Sequence, residues 1–226
     1  RAEWYAQQLG WRVLAQGGST AILTRHAIGE HSANKWGARI DLEGGGSVWA
    51  FNVHFPAAPY QPYQLAGIEY HGGRFVSTAA DAVTEARLAR GEPALRCLRD
   101  MQPALRSGLP VFLGGDFNEP SHLDWTPEAV RARGLPVSVD WPTTRMFHDA
   151  GFEDCFRAAH PDPVRTPGYT WTPRPDTRDV MDRIDLVLWA GAGVRVRGAQ
   201  VMGERGEHTH VAVDPWPSDH RAVVGE

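Results

Sequence analysis

Apolar residues in this chain fall in short runs punctuated by glycine and proline, a rhythm of brief strands and helices. Val111-Phe112-Leu113 is the clearest run and predicts a strand buried on both faces. Gly114 and Gly115 predict its tight exit, and Asp116 and Asn118 emerge where it stops. Upstream, residues 4–14 predict the end of a helix passing through Leu9-Gly10-Trp11 into a strand, and residues 21–24 a second strand. Residues 39–42 and 48–55 alternate around Gly44-Gly45-Gly46, which predicts a hairpin ending in Asn52-Val53-His54. Helical spacing at Ala82, Val83, Ala86 and Ala89 is interrupted at residues 91–93. It resumes at Leu95, Leu98 and Leu105, with a kink expected at Pro103.

Thr126-Pro127-Glu128 opens another helix with a capping hydroxyl, a first-turn proline and an acid. Residues 141–150 predict a further helix stopped by Gly151, and residues 183–189, 193–201 and 222–224 three strands. Residues 162–175 read as irregular apart from Tyr169-Thr170-Trp171. Residues 56–73, rich in proline and tyrosine, exceed an ordinary connection and read as a lid or a mobile loop. Their alternative is a surface loop packed by its own aromatics. Strands with helices between and around them point to an α/β sandwich forming one domain over residues 1–226.

Composition narrows the function only a little. With 226 residues, 42% hydrophobic and 22% charged, the chain is long enough for a substantial core. No apolar run is long enough for a membrane span. A net charge of −4 argues against broad neutralisation of a nucleic-acid backbone, yet leaves a local basic groove open. Cys97 and Cys155 are far apart and form no metal-type pair; buried free thiols are expected, with one disulfide as the alternative.

The polar groups at the strand ends suggest chemistry. Asp116 and Asn118 can merely close a turn, Asp185 can be a buried acid satisfied by Arg183, and Asp219-His220 can be surface polarity. Together they match what phosphoester cleavage demands. An anionic ester repels hydroxide, so a net-acidic protein needs a divalent cation to neutralise developing charge. Asp116 and Asp219 suit Mg²⁺ or Mn²⁺ through their oxygens. A histidine can take the proton from water, best when a carboxylate such as Asp185 fixes its tautomer. Asn118 and His54 can donate hydrogen bonds to phosphoryl oxygens.

Five blocks occur in order: Asn-Val-His (52–54), Gly-Gly-Asp-Phe-Asn (114–118), Tyr-Thr-Trp (169–171), Arg-Ile-Asp (183–185) and Ser-Asp-His (218–220). They resemble the signature blocks of the endonuclease/exonuclease/phosphatase superfamily. That group includes deoxyribonuclease I-like nucleases, apurinic endonucleases, sphingomyelinases and inositol-polyphosphate phosphatases. The resemblance implies a four-layered α/β sandwich of two packed mixed sheets flanked by helices, with Mg²⁺-dependent attack of water on phosphorus. It makes His220 the general base paired with Asp185, puts Asp219 and Asp116 at the metal, and lets Asp116 and His220 exchange the proton-taking role. His54 then sits against the phosphoryl oxygens or the leaving group, and Asn118 and Asn52 belong with the substrate.

One departure stands beside this resemblance. The superfamily usually begins with a strand carrying an Asn and another ending in a metal-binding Glu, and neither precedes residues 1–14 here. Glu3 and Glu30 are poor substitutes, since neither ends an apolar run. Either the chain is an N-terminally truncated piece or it binds metal differently. For the substrate, Trp171 can stack on a base or sugar, or simply pack the core. Tyr60, Tyr63 and His71 can close over a small phosphate. Arg145 and Arg174 can hold a second anionic group, and His208 and His210 can pair on a metal or sit in a solvated loop. The expected substrate is a phosphodiester or phosphomonoester of a small or lipid-like molecule, with a DNA or RNA nuclease as first alternative. A catalytically impaired phosphate-binding module is the other. An extracytoplasmic site is expected, a cytoplasmic one being the alternative.

Overall fold

The structure is a computed structural model in which residues 1–173 and 179–226 are described. Arg174, and with it the end of the stretch read as irregular, lies outside them. In chain order the first elements are α1 (Ala2–Leu9), β1 (Arg12–Ala15), β2 (Ala21–Thr24), β3 (Ala27–His31), β4 (Gly37–Asp41) and β5 (Ser47–His54). There follow α2 (Gln61–Ala66), α3 (Ala79–Arg106), β6 (Val111–Asp116), α4 (Pro127–Arg133), α5 (Pro142–Asp149), β7 (Glu153–Asp154) and α6 (Cys155–Ala159). Last come β8 (Asp185–Ala190), β9 (Ala199–Gly203), β10 (Val211–Ala212) and β11 (Ala222–Gly225).

A six-stranded mixed sheet, ordered β3-β4-β5-β6-β8-β7, forms the frame. Alternation puts Trp49, Phe51, Val53, Val111, Leu113, Leu186 and Leu188 on one face, where Ala94, Cys97, Met101 and Phe147 of α3 and α5 cover them. On the other face, β9 and β11 pack over β8 through Val201, Val223, Val187 and Trp189, while the β1–β2 hairpin lies near β5. The result is the expected α/β sandwich of mixed sheets flanked by helices. Its second layer is built from two separate sheets, β1-β2 and β10-β9-β11. Phe112 is only half-buried, because it points toward this divided layer rather than the main core.

Several local expectations need correction. Gly114 and Gly115 do not end the strand, since β6 runs on through Asp116. Gly115 has φ +138, and a Cβ there would stand 2.0 Å from the Val53 carbonyl oxygen, so glycine allows β5 and β6 to approach. The interruption foreseen at residues 91–93 is absent, and α3 is one 28-residue helix passing through Pro93 and Pro103. Ala82, Ala86, Arg90, Ala94, Cys97, Met101 and Ala104 recur at helical spacing and are all buried. That packing outweighs a local cost of about 3 kcal/mol per internal proline. The strand expected over residues 193–201 begins only at Ala199, where Gly225 closes the pairing with β11.

Residues 56–73 are not an open lid. Tyr60, Tyr63 and Leu65 enter a second core with Trp125, Trp141, Val180 and Ile184, and Tyr60, Tyr63 and Tyr70 stack edge to face in series. The loop is packed by its own aromatics, the alternative reading. Cys97 and Cys155 are buried free thiols.

Arg183 does not satisfy Asp185. Its buried guanidinium sits 2.9 Å from Asp124 and 2.7 Å from Asp154, and Arg157 adds a 2.7 Å contact to Asp124. These four charges tie the segment before α4, β7, α6 and the residues just before β8 together. Arg183→Ala removes the guanidinium paired with the buried Asp154 and leaves Asp124 to Arg157 alone, and is expected to lower unfolding stability by about 3–5 kcal/mol in urea titrations. A loss below about 1 kcal/mol, the surface-pair range, would contradict this role.

Candidate active site

Strand register assembles the site. β5 runs parallel to β6 with His54 opposite Asp116, and β6 runs antiparallel to β8 with Asp116 opposite Asp185. Three ionisable residues therefore form one row across neighbouring strand ends, though far apart in sequence. His220 arrives from the turn before β11. Its Nδ1 lies 2.8 Å from Asp185 Oδ2, and its backbone N–H donates to Ser218 Oγ at 3.1 Å. The Trp216 indole N–H donates to the His220 carbonyl at 2.7 Å, pinning the same turn.

These groups face a cavity of about 390 Å³. Its polar wall is His54, Asp116, Asn118, Asp185, Ser218, Asp219 and His220, and the rest is largely Tyr60, Tyr63, Tyr70 and Trp171. The Trp171 ring lies 4.8 Å from the His220 ring, and its indole N–H donates to Tyr63 Oη at 3.0 Å. No lysine or arginine is among the lining residues described.

Burial raises the pKa of Asp116 to about 6, and the neighbouring Asp185 charge adds to the rise; the Asn118 backbone N–H, His220 and His54 act against it. For His220, burial disfavours the imidazolium, yet the hydrogen bond and charge of Asp185, helped by Asp116 and Asp219, raise its pKa overall. Asp116, Asp185 and His220 each offer a ligand atom within 4.8 Å of the others. Two carboxylates that repel one another in a half-buried hollow suit a hard divalent cation, which relieves the repulsion through oxygen ligands.

The structure brings His54, Asp116, Asn118, Trp171, Asp185, Asp219 and His220 to one cavity. Asp219 is exposed on the rim and stands outside the tight set, in which Asp185 accompanies Asp116. Asn118 has committed its amide hydrogens, donating to the Phe55 carbonyl at 2.9 Å and to Asp116 Oδ2 at 3.1 Å. It orients Asp116 rather than offering those hydrogens to phosphate. Asn52 does not reach the cavity; its amide donates to the Ala21 carbonyl at 3.0 Å and anchors β2. Arg145 does not reach it either, being drawn to Asp140 at 2.9 Å beside a separate hollow containing His122.

Glu3 is at the exposed chain start and Glu30 pairs with Arg39, so neither supplies a cavity ligand. His71 meets Tyr70 edge to face and is not itself among the lining residues described. His210 accepts the Val201 N–H and stacks on His160, while His208 packs on Tyr169, so the two form no metal pair. Tyr70 and Ser19 were missed. Tyr70 carries no periodic signal in its loop. Ser19, whose Oγ lies 2.7 Å from His54 Nδ1, looks in sequence like any residue after a glycine turn.

The chain matches the endonuclease/exonuclease/phosphatase family over residues 4–220. It belongs to that family. An uncharacterised Caenorhabditis elegans protein, F14F9.5, is 28% identical across 92% of this chain and 69% of its own. Among solved structures, the fold is similar to the 3′-5′ exonuclease NExo of Neisseria meningitidis, with TM-score 0.59 and 19% identity over 98% of this chain and 81% of that one. NExo bound to a product DNA hairpin, described as a 3′ phosphatase, gives TM-score 0.58 and 20% identity with the same coverage. An AP endonuclease from Archaeoglobus fulgidus gives 0.55 and 15%, covering 97% of this chain and 80% of that one. Members of this family are generally phosphoester hydrolases, and their nucleases generally use divalent metals.

In metal-free protein, the Asp116 carboxyl carbon is expected to titrate near pH 6 by NMR. Added Mg²⁺ should move that midpoint downward, because a bound cation favours the carboxylate. A midpoint in the ordinary aspartate range that ignores Mg²⁺ would contradict the electrostatics described.

Proposed function

We propose that this chain hydrolyses a phosphoester of a small or lipid-like molecule with the help of a divalent cation, Mg²⁺ or Mn²⁺. The observation that carries this reading is the Asp185–His220 pair standing beside Asp116 in a cavity whose less polar wall is largely aromatic. Asp116, with Asp185 and the rim carboxylate Asp219, would hold the cation, which when bound neutralises phosphoryl oxygens and stabilises developing charge. The aromatic lining and the cavity volume favour an ester with a compact, partly apolar substituent over a long polyanion.

The protein's own residues supply the proton handling. Asp185 accepts from His220 Nδ1–H, which leaves Nε2 as the base for an incoming water. As Nε2 gains that proton, the Asp185 charge stabilises the imidazolium. Asn118 keeps Asp116 turned toward the reacting group through two hydrogen bonds, from its backbone N–H at 2.7 Å and its amide at 3.1 Å. His54 offers Nε2–H toward a phosphoryl oxygen, and Trp171 and Tyr70 shield the ester from bulk water.

Bis-p-nitrophenyl phosphate tests this reading. Turnover is expected with Mg²⁺ or Mn²⁺, and a chelator should abolish it. His220→Ala should lower kcat by about 10²–10⁴-fold. Absence of turnover with every divalent metal would overturn hydrolysis and favour a phosphate-binding module. Degradation of plasmid or hairpin DNA far faster than the small ester, with steep loss on raising salt, would replace it with a nuclease.

A further inference from the structure

We propose that Ser19 is a positioning residue for the phosphoester reaction, holding the His54 ring so that Nε2–H points into the cavity; this rests on the hydrolase reading above. The turn that carries Ser19 is clamped on both sides. Gly17 and Gly18 take φ +83 and +60, which lets the chain reverse tightly between β1 and β2. Before the turn, the Gln16 amide donates to the Trp36 carbonyl at 2.8 Å and the Asn52 carbonyl at 2.9 Å. After it, Asn52 donates back to the Ala21 carbonyl at 3.0 Å. Asn52 and His54 lie two apart on β5 and so project from the same face of the strand. The clamp that fixes the turn thus also delivers Ser19 to His54.

The Ser19 hydroxyl is 2.7 Å from His54 Nδ1, and His54 Nε2 is 3.6 Å from Asp116 Oδ2. These two contacts select one tautomer of the neutral ring. A bare Nε2 would turn its lone pair toward a carboxylate, whereas Nε2–H meets it favourably. Nδ1 is then the acceptor, and Ser19 is its donor. At 3.6 Å the Asp116 oxygen attracts Nε2–H without consuming it, so that hydrogen remains available to a phosphoryl oxygen. Ser19 does not touch the reacting atoms itself. It acts through His54, and its exposed place on a turn leaves the fold indifferent to its loss.

The test joins spectroscopy with kinetics. Nitrogen NMR of histidine-labelled protein, with His54 assigned from His54→Gln, should show Nδ1 unprotonated and Nε2 protonated on the neutral ring. Ser19→Ala should mix the two tautomers and lower kcat on bis-p-nitrophenyl phosphate by about 10-fold with KM unchanged. Ser19→Thr should restore both, and Ser19→Ala should cost nothing further in a His54→Gln background. An unchanged His54 spectrum in Ser19→Ala, or an equal loss with and without His54, would overturn the proposal. If the parent protein turns over no ester, the hydrolase reading fails and the tautomer alone decides whether Ser19 positions His54.

Discussion

The site depends on the register of three strands. β6 lies between β5 and β8, parallel to one and antiparallel to the other, and this pairing aligns His54, Asp116 and Asp185 residue for residue. A slip of one position in β6 would send Asp116 to the opposite face from His54 and Asp185. Gly115 permits the alignment, because the Val53 backbone occupies the space a side chain would need. The aromatic and aliphatic core beneath fixes the same register from the other face. Packing and chemistry are thus settled by one set of backbone hydrogen bonds.

Charge is divided between two levels. Deeper in the molecule, Arg183 and Arg157 neutralise Asp124 and Asp154, so that buried acids and bases match. At the surface level, Asp116 and Asp185 share a hollow with imidazoles but without a guanidinium or ammonium among the lining residues described. A fold that compensates its buried carboxylates so fully below leaves these two short of positive charge. That imbalance suits a cation, and burial, with the Asp185 charge adding to it, pushes the Asp116 carboxyl up toward neutrality in the protein alone.

Much of this arrangement was legible in the residues. The apolar run at Val111–Leu113, the hairpin ending at His54 and the Arg-Ile-Asp strand marked the three strand ends that matter. Ordered blocks linked them with Ser-Asp-His. What escaped was set by three-dimensional proximity. Asn52 carries a side chain as suited to phosphate as Asn118, and only the approach of β2 turns it into a clamp. Arg145 is an exposed cation until Asp140, five residues earlier, claims it. Helix α3 runs through two prolines because its buried face outweighs them, a tertiary fact that local propensity does not contain. Ser19 shows no periodicity and no motif; its partner lies 35 residues away.

The most direct test of the account is where a divalent cation settles. Crystals grown with Mn²⁺, examined by anomalous scattering, should show a peak in the cavity about 2 Å from an Asp116 carboxylate oxygen, beside Asp185 and His220. A hollow left vacant at saturating Mn²⁺, or a cation bound only at residues remote from Asp116, would contradict the convergence of these groups on a metal-assisted reaction.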